Sequence, residues 1–362
     1  MKVTQKLHEV GQSLWLDCIA SDLLKNGTLR HYIEEWSVTG LTSNLALFHH
    51  AIKNRSVYDA AVCKKLKENK SGEELFLELA LEDLSHAADL FRPIYELTDG
   101  EDGWVSLDVS PRLAYDTDSA VEAIKILYSR AGRPNLFIKV PGTGEGLPII
   151  EKAIFAGVPI NVILLFSCEH YLAAAEAYLR GVERRIAAGL RPNVGSVASL
   201  SVSCWDIAVN GKVPETLLNQ LGLAMAKRTY KASLELARSK RWKCAYTAGA
   251  RPQRLLWTGT ETNDPEFSED FYIKALAAPF TVSTMSESTL KAFADHGDIG
   301  TSMPVDGGDC EAVLSRFSRA GTDIDALADQ LQDEGAASFV KSWIEILAVI
   351  ASKSAALTQV QC

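Results

Sequence analysis

The sequence predicts an α/β protein: a (β/α)8 barrel carrying extra helices between strands 2 and 3 and at the C-terminal end. Three observations lead there. Eight short apolar or β-branched runs alternate with longer helical patterns, and such alternation gives parallel pairing that eight units close into a barrel. No GxGxxG follows the first run, and GTGEG at 142–146 lacks the Lys-Ser/Thr of a phosphate loop, which disfavours an open nucleotide-binding sheet. Polar residues recur near the C-terminal ends of the runs, the end where barrel enzymes do chemistry. No internal repeat or low-complexity linker interrupts the chain, so residues 1–362 read as one domain.

In chain order the strands are expected at 14–19, 37–44, 103–110, 136–143, 160–167, 196–203, 254–260 and 281–286. Between the third and fourth, Val121, Ile124 and Tyr128 form a helical stripe, with Thr117 or Asp118 as cap and Gly132 as stop. Longer helices are expected at 170–190 and 213–240. The stretch 45–102 is too long for one crossover and must hold several helices, one of them through 73–91. Beyond residue 290, helices at 310–320 and 338–353 are expected to pack on the outside.

Composition narrows the function. With 47% hydrophobic and 23% charged residues, the chain can bury a large core. A net charge of −9 without a long basic block argues against a nucleic-acid partner. No uninterrupted apolar stretch approaches the roughly 18 residues of a membrane span, and the N-terminus lacks a signal-peptide pattern. Seven scattered cysteines without a CxxC pair argue against a disulfide framework or zinc site and for a reducing, cytoplasmic setting. Taken with the strand residues and motifs described next, the expectation is a monomer or homodimer acting on a small carbonyl or sugar substrate, with no membrane, metal or cofactor.

Six polar residues carry the chemistry: Asp17, Asn44, Asp108, Lys139, Asn161 and Ser199. Lys139 stands in Phe137-Ile138-Lys139-Val140-Pro141. Burial there would favour the neutral amine that an imine-forming nucleophile requires; the bland alternative is a lysine snorkelling from a strand end. Imine chemistry needs a proton shuttle, which Asp17 or Asp108 can supply. Asn44, Asn161 and Ser199 can hold substrate hydroxyls without competing for protons. Singly, Asp17 reads equally as a satisfied core aspartate and Asn44 as a helix cap. Six polar residues at six strand ends are not explained that way together.

Long ordered motifs then carry a resemblance. GQSLWLD at 11–17, SVTGLTSN at 37–44, FIKVPGTGEGLPIIEKAI at 137–154 and INVILLFSCEHYLAAAEAYLRGVERR at 160–185 resemble the transaldolase family, its longer bacterial members above all. RPQRLLW at 251–257 and STLKAFADHG at 288–297 are similar too. The resemblance implies a (β/α)8 barrel whose fourth-strand lysine forms an imine and transfers a dihydroxyacetone unit between sugar phosphates without metal. It assigns the imine to Lys139, acid/base work to Asp17 and substrate positioning to Asn44 and Asn161, and it matches Ser199 to the family's strand-six serine.

The departures are specific. Leu45 replaces a proline, Asp108 a glutamate that helps hold a catalytic water, and Ile163 the threonine that helps anchor it. At the phosphate clamp, Cys204 stands for an arginine, Gly259 for a serine and Asn263 for a lysine, with Glu261 adding a negative charge. Arg251 or Arg254 could compensate, although the family carries both outside the clamp. Three readings follow. The first is a Schiff-base enzyme of a specialised pathway, acting on a substrate other than an ordinary sugar phosphate. The second is an ordinary transaldolase of the pentose phosphate route, and the third an inactive barrel kept as a scaffold.

Overall fold

A computed structural model describes residues 2–18, 21–54, 56–111, 116–262 and 268–359. Eight parallel strands close into a barrel in sequence order: β1 Gln12–Asp17, β2 Val38–Thr42, β3 Trp104–Leu107, β4 Leu136–Pro141, β5 Ile160–Leu165, β6 Ser196–Ser201, β7 Arg254–Thr258 and β8 Thr281–Met285. β1 pairs with both β2 and β8, which completes the closure.

All eight expected strands are present, but most end sooner than expected. The ladder stops at Thr42 and Leu107. Ser43, Asn44 and Asp108 therefore stand just past the pairing, where the backbone can turn and a polar side chain faces the mouth.

Period-two alternation fills the barrel in layers. At the N-terminal end, the buried Arg254 guanidinium pairs with Asp102, Nη1 to Oδ1 at 3.2 Å, and Nη2 also donates to Ser13 Oγ. Above it lies an apolar layer of Trp15, Trp104, Phe137, Val197, Leu256 and Val282. Trp104 stacks on Phe137 with centroids 4.0 Å apart. The next inward positions are Asp17, Lys139, Asn161 and Ser199.

The helix after β3, Thr117–Ala131, is capped by Asp116, whose side chain accepts from Asp118 N at 3.2 Å, so neither expected cap residue serves. Its core face is Ala120, Ile124, Leu127 and Ala131, with Val121 and Tyr128 half-buried at the flank. Gly132 ends it at φ 58°, a left-handed conformation glycine adopts readily. The 45–102 connection holds helices Leu45–Asn54, Asp59–Lys67 and Gly72–Leu97.

The C-terminal region departs from expectation. Cys310–Arg319 does pack outside, against Leu221–Arg238. The last helix, Ile324–Gln359, is far longer than expected and runs past the barrel mouth, touching β5 and the helices Leu45–Asn54 and Gly72–Leu97. By length and composition it is the one helix among the described residues apolar enough to cross a membrane. Trp343, Ile346 and Ile350 anchor it in the core, while Val340 and Ile344 are exposed. Cys63 is disulfide-bonded, which the scattered cysteine spacing did not announce.

Candidate active site

The strand ends surround a cavity of about 370 Å3 at the C-terminal mouth. Five of the six polar residues meet its wall beside Lys139: Asp17, Asn44, Asp108, Asn161 and Ser199 all line it. Lys139 is 8% exposed. Its Nζ donates to the Ser43 carbonyl and to Asp108 Oδ2, the latter at 3.2 Å.

Asp108 is itself held. Ser43 Oγ donates to Asp108 Oδ2 at 2.6 Å and accepts from the Asp108 amide at 3.3 Å. One hydroxyl thus fixes the carboxylate in both directions, and the carboxylate fixes Lys139. On the other side, Asn44 Nδ2 donates to Asp17 Oδ2 at 3.2 Å. The Asn44 Oδ1 accepts from the amides of Ala46 and Leu47 at 3.0 and 3.3 Å. Asn44 is therefore both the helix cap of the bland reading and a contact of the acid/base candidate.

Burial is the main influence on Asp17, pushing its carboxyl up to about 6; Lys139 and the Asn44 hydrogen bond oppose the rise, while Asp108 and Glu261 add to it. A carboxyl poised there can take and return protons near neutral pH. Level with Lys139 in the sheet, Ser199 Oγ donates to Asn161 Oδ1 at 2.6 Å, and Asn161 Nδ2 donates to Ser106 Oγ at 3.1 Å. This chain fixes which way the Asn161 amide faces.

Of the three clamp positions, Cys204 and Gly259 do not join the wall. Cys204 lies in the first turn of the helix Ser203–Val209, packed at the edge of a separate apolar cluster with Phe166 and Trp205. Burial pushes its thiol up to about 12, which makes it a packing residue. Gly259 sits beyond β7 at φ 61°, and its carbonyl accepts from Ser203 N at 2.8 Å. Asn263 lies outside the described residues. Arg254 cannot compensate, because it points to the opposite end of the barrel. Arg251 is bound to Asn193 and Asp99 at that same end.

Sequence reading missed several lining residues. Ser43 stands inside the quoted SVTGLTSN stretch and lines the cavity; Ser106, which alternation with Trp104 and Asp108 could have marked, does not line it but supports Asn161 from behind. Ser201 and Thr258, one step further out on β6 and β7, also line the cavity. The C-terminal helix contributes Gly335, Ser338, Phe339 and Ser342. No local signal marks those four, since a distant helix meets the mouth only through the fold. Among the described residues no cluster of His, Cys, Asp and Glu is suited to a metal ion.

The Transaldolase/Fructose-6-phosphate aldolase family profile matches residues 14–350. The chain belongs to this family. It is 39% identical over 363 residues to a transaldolase of Thermobifida fusca, covering 98% of this chain and 99% of the relative. A transaldolase of Thiobacillus denitrificans is 38% identical over 359 residues, covering 97% and 100%. As a member of the transaldolase/fructose-6-phosphate aldolase family the protein is an enzyme of transferase or aldolase type, on a closed eight-stranded barrel. The resemblance read from the motifs is thereby borne out, and the scaffold reading loses its ground.

Proposed function

We propose that the protein is a Schiff-base transaldolase in which Lys139 is the nucleophile and Asp17 the principal proton carrier. The observation that carries this reading is the convergence of Lys139, Asp108 and Asp17 in one cavity at the barrel mouth, with Lys139 Nζ 3.2 Å from Asp108. Lys139 must lose a proton before it attacks, and Asp108 is within hydrogen-bond reach to receive it. The amine adds to a ketose carbonyl, water leaves, and an imine forms. The C3–C4 bond then breaks: the C4 hydroxyl gives its proton to Asp17, the bonding electrons pass to the iminium, and an aldehyde departs. The remaining enamine attacks an acceptor aldehyde, whose oxygen takes the proton back from Asp17. Water adds to the new imine and releases product and amine.

Full-length relatives named transaldolase favour the ordinary form of this reaction, transfer of dihydroxyacetone between sugar phosphates in the cytoplasm. One observation favours a second reading, an altered substrate: among the described residues that line the cavity, Lys139 is the one cation. Charge-assisted contacts are worth about 1.5–3 kcal/mol each. Two missing contacts would cost a phosphorylated sugar roughly two to four orders of magnitude in affinity. Borohydride with fructose 6-phosphate tests the chemistry. A mass increment on Lys139, absent in Lys139→Ala, is expected; labelling that persists in the variant refutes the assignment. The substrate is then decided by kcat/KM with fructose 6-phosphate and erythrose 4-phosphate. A value within about 10⁴–10⁸ M⁻¹s⁻¹ establishes the ordinary transaldolase, and one far below it leaves the altered substrate.

A further inference from the structure

We infer that the acceptor aldehyde meets an apolar wall of Ile163, Leu164 and Phe339, so that the enzyme prefers acceptors with an apolar chain to phosphorylated or polyhydroxylated ones. The inference deepens the second, altered-substrate reading of the proposed function; it rests on the Lys139 imine, but not on which donor is used.

The wall is built by a break in β5. Its ladder pairs Pro141 with Ile163, and pairing with β6 skips from Val162 to Leu165. Between them Leu164 adopts φ 62°, a left-handed conformation unfavourable for a residue with a branched side chain. Neighbours hold it there. Gly142 N donates to the Ile163 carbonyl at 2.7 Å, and Gln332 Nε2, from the C-terminal helix, donates to the Leu164 carbonyl at 2.8 Å. A regular strand would send only alternate side chains inward. Here the consecutive residues Ile163 and Leu164 both line the cavity.

The C-terminal helix supplies the facing side. Gly335 lies so close to β5 that a Cβ there would sit 3.0 Å from Phe166 and 3.2 Å from Leu164. That approach brings Phe339, one turn later, to the cavity. Depth then separates the two halves of the reaction. Asn161 pairs with Lys139 across the sheet, and Ser199 bonds to Asn161, so these polar groups lie level with the amine and suit a hydroxylated donor fragment. Ile163 lies one inward step nearer the mouth, where an acceptor enters. Among the described residues, the other outer lining groups, Ser201, Thr258, Ser338 and Ser342, are neutral hydroxyls, and none of them supplies a cation for a phosphate.

The chemistry needs no added oxidant or reductant. Dihydroxyacetone and Lys139 give an imine and water, a carbon-bound proton passes to a carboxylate, and the resulting enamine forms a C–C bond with the aldehyde carbon. The aldehyde oxygen takes a proton, and water restores the amine.

The test uses the full-length enzyme, dihydroxyacetone as donor, and butanal or erythrose 4-phosphate as acceptor, with products read by mass spectrometry. Borohydride trapping of dihydroxyacetone on Lys139 is measured alongside. We expect kcat/KM for butanal to exceed that for erythrose 4-phosphate by tenfold or more. Ile163→Thr combined with Phe339→Ser should reduce this ratio at least tenfold, and a ratio cancels any loss common to both acceptors. Trapping on Lys139 together with equal or better use of erythrose 4-phosphate overturns the inference and leaves the proposed function standing. No adduct on Lys139 from any carbonyl tested overturns both. Should the double variant fail to fold, the ratio in the unaltered enzyme still decides.

Discussion

In the proposed role of Asp17, a carboxylate is prepared for proton transfer at a cost in stability. Its carboxyl is pushed up to about 6 chiefly by burial, against the opposing pull of Lys139 and Asn44. Activity that needs the carboxylate as base should therefore rise with pH through about 6. Asp17→Asn should remove that limb and reduce turnover at least ~10²-fold. The stability sign follows from the same shift. A carboxyl whose value is raised on folding holds its proton better in the native state, so its contribution is full below about 4 and is lost as pH rises through 6. At pH 7.5 the buried charge is a penalty, and Asp17→Asn should stabilise the fold by about 1–3 kcal/mol. The advantage should shrink as the pH falls towards 4. Urea titrations of both proteins at the two pH values measure it; equal midpoints at pH 7.5 would show that Asp17 carries no burial penalty. Asp17 and Lys139 were legible because a charged residue flanked by apolar ones in a strand calls for a reason. Ser43 was not, because a serine in a turn has many bland explanations and its grip on Asp108 exists only after β2 and β3 pair.

At the scale of elements, the strands were readable because alternation and β-branched runs are local properties of the chain. Their C-terminal limits were not, since where a ladder stops depends on the neighbouring strand. The helix Ile324–Gln359 was readable as a helix but not as part of the mouth: Gln332 meets Leu164, 168 positions earlier in the chain. Packing within the barrel is equally non-local. Gly40 on β2 pairs with Trp15 on β1, and a Cβ at Gly40 would come within 2.5 Å of the indole Nε1. Trp15 is fully buried. Gly40→Ala should therefore destabilise the protein by about 1–3 kcal/mol, the usual cost of overpacking. Adding Trp15→Phe, which removes the clashing ring edge, should restore part of it. A single variant as stable as the parent by chemical denaturation would mean that the indole has a second seat.

Across the whole molecule, the barrel separates a stabilising end from a reactive one. The buried Arg254–Asp102 pair closes the N-terminal end, six apolar side chains fill the middle, and the amine and carboxylates of the site stand at the other end. Sequence reading could weigh Arg254 as a phosphate ligand because β7 can present alternate residues at either end; register decides, and Arg254 is the first residue of the strand. Its Nη1 also donates to the Glu101 carbonyl at 3.0 Å and its Nη2 to the Thr281 carbonyl at 2.9 Å, so four partners depend on one guanidinium. Arg254→Met would keep the volume and leave the Asp102 charge buried without its counter-ion. Breaking a buried pair from one side costs about 3–5 kcal/mol. Changing both partners, Arg254→Met with Asp102→Asn, should recover much of that loss, because no uncompensated charge remains. The apolar layer between the two ends predicts that neither change reaches the chemistry. Per folded molecule, borohydride trapping on Lys139 should stay within about twofold of the parent while the urea midpoint falls. A variant that keeps its midpoint but loses trapping would place Arg254 in the reaction and refute the separation of the two ends.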